Sequence, residues 1–156
     1  MQPNAQEGMH RLMYTLNDLA LMTMLSTRTL RTYIKKGLLQ GTKRQTGWLF
    51  TEMDLEHFFE EPYIKESIEI KKRALINDFV EGNNPGCACM IYDYRCENES
   101  QAQELCDKLI CKINVLKGRN IRFSFAYHKK SKIGRVILQG EARVVSKLMN
   151  QCIMEE

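Results

Sequence analysis

The 156-residue sequence has no run approaching the roughly 18 apolar residues of a membrane span, so neither a spanning helix nor a membrane partner is expected. Its opening, MQPNAQEGMHRLM, lacks the cationic start and long apolar core of a secretory signal, and the expected location is cytoplasmic. There is no internal repeat and no low-complexity tract. With 44% hydrophobic and 27% charged residues, the composition excludes collagen-like, mucin-like and wholly disordered chains. No cysteine occurs before Cys87. All six, Cys87, Cys89, Cys96, Cys106, Cys111 and Cys152, fall in the second half, where a reducing compartment makes them packed thiols rather than a disulfide framework. They form no CxxC pair and no His-Cys spacing. Cys87 and Cys89, two apart on a strand, share a face, whereas Cys106 and Cys111, five apart on a helix, chelate poorly. No metal or cofactor is therefore expected, and metal or redox sensing is the alternative to packing. No glycine-rich phosphate loop and no nucleophile motif is present. His10, His57 and His128 read as surface residues, so no catalytic residue is assigned and an enzyme is not expected.

One further absence is local. No acid lies between Asp18 and Glu52, while Arg28, Arg31, Lys35, Lys36, Lys43 and Arg44 all fall in that gap. The net charge of +4 hides this, because residues 1–82 sum to zero. Acids then dominate from Glu52 to Glu61. Such segregation is what a face meeting a polyanion requires.

The order of elements can be read from caps and periodicity. Thr15-Leu16-Asn17-Asp18 is a variant capping box that starts a helix with Leu16, Leu19, Ala20 and Met22 on its buried side. Ser26 starts a second helix, Thr27 to Lys36, which stops at Gly37. At about 100° per residue, Leu30 and Ile34 share one side of it, and Arg28, Arg31, Thr32 and Lys35 cluster opposite. Two helices joined by a tight turn, the second basic outside, make a helix-turn-helix arrangement. A hairpin wing follows through Gln40 to Phe50, with Trp48 expected to brace it against Phe58. Thr51 repeats the cap and starts a third helix carrying Leu55, Phe58 and Phe59. A further helix, Tyr63 to Val80, has an imperfect apolar stripe. Glu81 to Gly86 is the clearest break, and beyond it the order is β-α-β-β-α. The fold class is mixed: an N-terminal winged helix-turn-helix, mainly α with a small β-hairpin, plus a C-terminal α+β domain. Four segments are expected: a mobile arm over 1–12, the winged head over 13–61, a connector or dimerisation helix over 62–82, and the small α+β domain over 83–156.

Tyr14 to Ala20, then Ser26-Thr27-Arg28-Thr29-Leu30-Arg31-Thr32-Tyr33 through Gly37-Leu38-Leu39, resembles the DNA-binding head of the MerR family of transcription regulators. Gly47-Trp48-Leu49-Phe50 leading into Asp54-Leu55-Glu56 is similar to the excisionase-like branch of the same winged-helix superfamily. The resemblance covers about residues 13–60. It implies that the helix from Thr27 to Lys36 enters the major groove, that the wing tracks the backbone, and that Arg28, Arg31 and Tyr33 occupy contact positions. Two departures stand out: Thr32 replaces the usual aromatic before Tyr33, and Leu49 follows Trp48 where the family has Arg. Independently of the family, guanidinium and ammonium groups on one exposed face pair with phosphates or guanine edges. The candidate DNA-binding residues are Thr27, Arg28, Arg31, Thr32, Tyr33, Lys35, Lys43, Arg44, Gln45 and Thr46.

A single small head covers about half of a useful operator, so a homodimer on double-stranded DNA is expected. The C-terminal domain loosely resembles, by element order alone, the modules of drug-sensing MerR relatives. Dimerisation, small-molecule effector sensing and protein contact all fit it. The expected function is a dimeric, sequence-specific transcription regulator. The alternatives are an excisionase-like recombination accessory protein and a protein-interaction adaptor with a head that does not bind DNA.

Overall fold

The computed structural model describes residues 13–116 and 120–154. They divide into two compact units, 13–80 and 81–154 among the described residues. The arm expected over 1–12 lies outside the described residues. The observed architecture is mixed as expected: a helical head with a small sheet, then an α+β region with a three-stranded sheet.

In the first unit, strand β1 (Tyr14–Thr15) runs into helix α1 (Leu16–Thr23). The Thr15 side chain accepts from the Asp18 backbone N–H at 3.1 Å, and the Asp18 carboxylate accepts from the Thr15 N–H at 3.0 Å. The capping box is complete. Met24 takes a left-handed conformation, and the buried Thr23 hydroxyl donates to the Leu19 carbonyl while accepting from the Leu25 N–H. This tight turn delivers helix α2 (Thr27–Lys35), capped by Ser26.

Helix α2 ends where the sequence placed its stop. Gly37 has φ +81°, its N–H donates to the Ile34 carbonyl, and the Leu38 N–H donates to the Tyr33 carbonyl. Both bonds of a Schellman cap are therefore made. The chain then enters the wing, strands β2 (Thr42–Arg44) and β3 (Gly47–Phe50), paired antiparallel with Lys43 opposite Trp48. β1 adds to the other edge of β3, with Tyr14 opposite Phe50. Helix α3 (Glu52–Glu60) follows with its own complete box, Thr51 to Asp54. Helix α4 (Pro62–Glu81) begins inside the head core, since Ile64 is fully buried there and Ile68 packs against it. The sequence suggested a connector or dimerisation helix over 62–82.

The second unit orders its strands β4 (Cys87–Arg95), β6 (Ile133–Glu141) and β5 (Arg122–His128). Both pairings are antiparallel. Helix α5 (Glu99–Val115), helix α6 (Ala142–Met149) and a π-helical turn over Asn150–Met154 complete it. Register puts Met90, Leu138 and Phe123 on one face, and Ile91, Ile137 and Ser124 on the other. Ser124 is buried. On the same face, Asp93 and Arg135 form a two-pronged ion pair at 2.6 and 2.7 Å, which holds the carboxyl below its usual range. Cys96, Cys106 and Cys152 are buried, Cys89 is half-buried, and Cys87 and Cys111 are exposed. Among the described residues no helix is long and apolar enough to cross a membrane.

Two glycines fail differently under substitution. Gly37 has open space around it, so Gly37→Ala meets only left-handed strain of about 1–2 kcal/mol. At Gly41 a Cβ would stand 2.5 Å from the Phe50 ring, a collision with the fully buried ring at the wing's root. Urea denaturation is expected to show the larger loss for Gly41→Ala. Equal losses would mean that the wing does not depend on this contact.

Candidate nucleic-acid interface

Helix α2 is held by one stripe. Leu30 is fully buried and Tyr33 is 7% exposed, with Ile34 half-buried beside them. The Tyr33 ring lies 6.1 Å from both Phe58 and Tyr63, edge-on to the latter. Its hydroxyl is within hydrogen-bonding reach of Tyr63 and Ser67, and burial pushes its pKa upward. Tyr33 therefore belongs to the packed side, and the DNA contact that the resemblance implied for it is not what this placement offers. Its position, three after Leu30, is a core position at helical spacing.

The other expected side chains face outward. Arg28, Arg31, Thr32 and Lys35 are exposed, and Thr27 is half-buried in the first turn. Thr32 donates its hydroxyl back to the Arg28 carbonyl at 3.2 Å. On the wing, Lys43, Arg44, Gln45 and Thr46 are all exposed, with Gln45 and Thr46 forming the turn between β2 and β3. Among the described residues none of these five cations, Arg28, Arg31, Lys35, Lys43 and Arg44, is held in an ion pair. Their charge is free to act on a partner.

Trp48 stands against a different ring from the one expected. It stacks on Phe50, with centroids 6.4 Å apart and planes 16° from parallel, whereas Phe58 packs on Tyr33 and Phe59. Across the hairpin, the Lys43 ammonium stands 5.4 Å from the centre of the indole ring. Such a cation–π contact is worth about 0.5–1 kcal/mol at an exposed site. A cleft of about 390 Å³ opens between the start of α1, Arg31 of α2 and the wing, lined by Thr15, Asn17, Arg31, Lys43, Thr46 and Trp48 among others. Thr15, Asn17 and Trp48 were not among the candidate residues. The signal for Trp48 was available, since a two-residue turn at Gln45-Thr46 puts it directly opposite Lys43.

Nothing in the arrangement assembles a metal centre: among the described residues no three of His, Cys, Asp and Glu stand close enough to share an ion. What it offers is an outward cationic helix flanked by a cationic hairpin.

Comparison with known proteins agrees with that geometry. Residues 13–62 match the family model of a helix-turn-helix domain. No curated protein and no solved structure matches the chain. The N-terminal unit thus contains a helix-turn-helix DNA-binding domain.

The placement of Tyr33 makes a prediction. Tyr33→Phe keeps the packed ring and removes only its hydroxyl, so it should change stability by less than about 1.5 kcal/mol and leave DNA affinity unchanged in a titration by fluorescence anisotropy. A large affinity loss without a stability loss would return Tyr33 to the contact surface.

Proposed function

We propose that the protein is a MerR-like, sequence-specific transcription regulator that acts as a homodimer on double-stranded DNA. It works by binding rather than catalysis, and its C-terminal α+β unit serves regulation or dimerisation. The observation that carries this reading is the set of exposed, unpaired cations that α2 and the wing present together. Arg28, Thr32 and Lys35 are the side chains available for base edges in the major groove, and Arg44 is available for the backbone. The dimer reading is supported by α4, where Tyr63 and Ile70 are 58% and 61% exposed. They are one heptad apart, the spacing that a seam between two helices uses.

Selection of DNA sites with the purified protein tests the whole reading. The expected result is two inverted half-sites about 10 base pairs apart, centre to centre, or a multiple of that spacing. Direct repeats bent by the protein would favour the excisionase-like alternative. Selection of no duplex at all would overturn DNA binding. On the selected operator, Arg28→Ala should cost about 1–3 kcal/mol and relax the preference at one base pair in each half-site. Sedimentation should give a dimer that Ile70→Asp weakens, and a wild-type monomer at micromolar concentration would remove the symmetric model.

A further inference from the structure

We infer that the cleft between α2 and the wing seats one phosphodiester of the DNA backbone, gripped by Arg31 from the helix and Lys43 from the hairpin. Arg31 is then a positioning residue, and base reading falls to its neighbours. This rests on the DNA-binding reading above and refines it.

The first support is the lining of the cleft. It brings together two cations from different elements with the Thr46 hydroxyl and the Asn17 amide, and it contains no carboxylate. Several donor-bearing groups around one cleft, two of them cationic, suit an anion with several acceptor oxygens. A phosphodiester is that anion in DNA.

The second is the angular position of Arg31. At about 100° per residue, Arg28, Lys35 and Thr32 fall within roughly 60° of arc. Arg31 lies about 60° from Arg28, on the flank that borders the cleft. When the central arc faces the floor of the major groove, a flank residue meets the groove wall, which is sugar and phosphate. A helix in the groove and a hairpin beside it have one backbone strand running between them.

The third is that Lys43 is already placed. The Trp48 ring beneath its ammonium restricts the flexible stem before any ligand arrives, so less side-chain entropy is lost on binding. Trp48 in turn is fixed by its stack on Phe50. The indole also gives the cleft an apolar wall suited to a deoxyribose face.

The test uses the full chain and its selected operator, with single phosphates replaced one at a time by neutral methylphosphonates. In each half-site one position should weaken wild-type binding, weaken Arg31→Gln and Lys43→Gln by a smaller factor at that same position, and leave the double variant unaffected. Each variant should make the log–log dependence of affinity on salt shallower by about 0.9 per half-site occupied, with the ranking of operator sequences unchanged. Arg31→Lys should restore most of the salt slope. Trp48 is the only tryptophan, so its emission checks that each variant keeps a folded wing. The clamp is overturned if Arg31→Gln changes the preferred base at an operator position and still responds to every methylphosphonate as wild type does. It is overturned equally if the two variants lose sensitivity at different phosphates. A wild type that selects no duplex removes the DNA-binding reading itself, a result distinct from either of these.

Discussion

The burial of Leu30 and Tyr33 is the constraint on which the cationic face of α2 depends. A helix of nine residues has one rotational setting once those two side chains are inside. Because each residue advances about 100°, that setting also turns Arg28, Thr32 and Lys35 to solvent. Packing and presentation are one event. Truncating a fully buried leucine such as Leu30 costs about 2–5 kcal/mol, a large part of what a small domain has to spare. The aromatic contacts of Tyr33 with Phe58 and Tyr63 tie the same helix to α3 and α4. The orientation of the cations is therefore fixed by three helices, although only one of them carries α2's outward side chains.

Electrostatics follows from the same economy of local bonds. Asp18, the last acid before the basic stretch, is 2% exposed and tied into the box that starts α1. Asp54, soon after the stretch ends, is tied in the same way at the start of α3. Carboxylates that cap helices bond to backbone N–H groups nearby and are not left to neutralise cations on α2 or the wing. The field over this surface is screened by salt within about 10 Å at 0.1 M, so it acts on a partner already close. In the second unit the opposite holds: Asp93 and Arg135 consume each other across β4 and β6, and Lys129 and Lys132 are paired with Glu99 and Glu97. The basic hairpin tip over 128–132 is thus a weaker candidate for nucleic acid than its composition suggests.

Much of this was legible in the sequence, for a physical reason. Thr15, Ser26 and Thr51 announce helices because a cap is a bond between residues three apart, and Gly37 announces a stop because few other residues accept its φ. Both signals are local. Non-local pairing was not legible. β1 is only two residues long and exists because β3 gives it a partner. The last three residues of β6, Gln139 to Glu141, read as polar or glycine and are held in a strand by Ala88 and its neighbours on β4. Tyr33 reads as a contact in the sequence because it is an aromatic beside basic residues, whereas its ring packs where α3 and α4 converge. Trp48 was read correctly as a brace but assigned the wrong partner, since choosing between Phe50 and Phe58 requires knowing which face of the hairpin turns inward.

The size of the head sets what it can accomplish alone under the proposed reading. The five cations named on α2 and the wing can neutralise at most about as many phosphates, and each contact contributes close to 0.9 to the salt exponent. That term is the same on any sequence. Discrimination has to come from the outward arc of a nine-residue helix, where Arg28, Thr32 and Lys35 reach only a few base pairs. With each good pair worth about 1–3 kcal/mol, three contacts from one head reach the margin of roughly 4–10 kcal/mol over nonspecific binding only if nearly all of them are ideal. Joining two heads doubles both terms and adds a requirement on spacing that random DNA rarely meets. A backbone clamp on the flank of α2 is useful in that setting, because it fixes the register of each helix in its groove and makes the few base contacts count at defined positions.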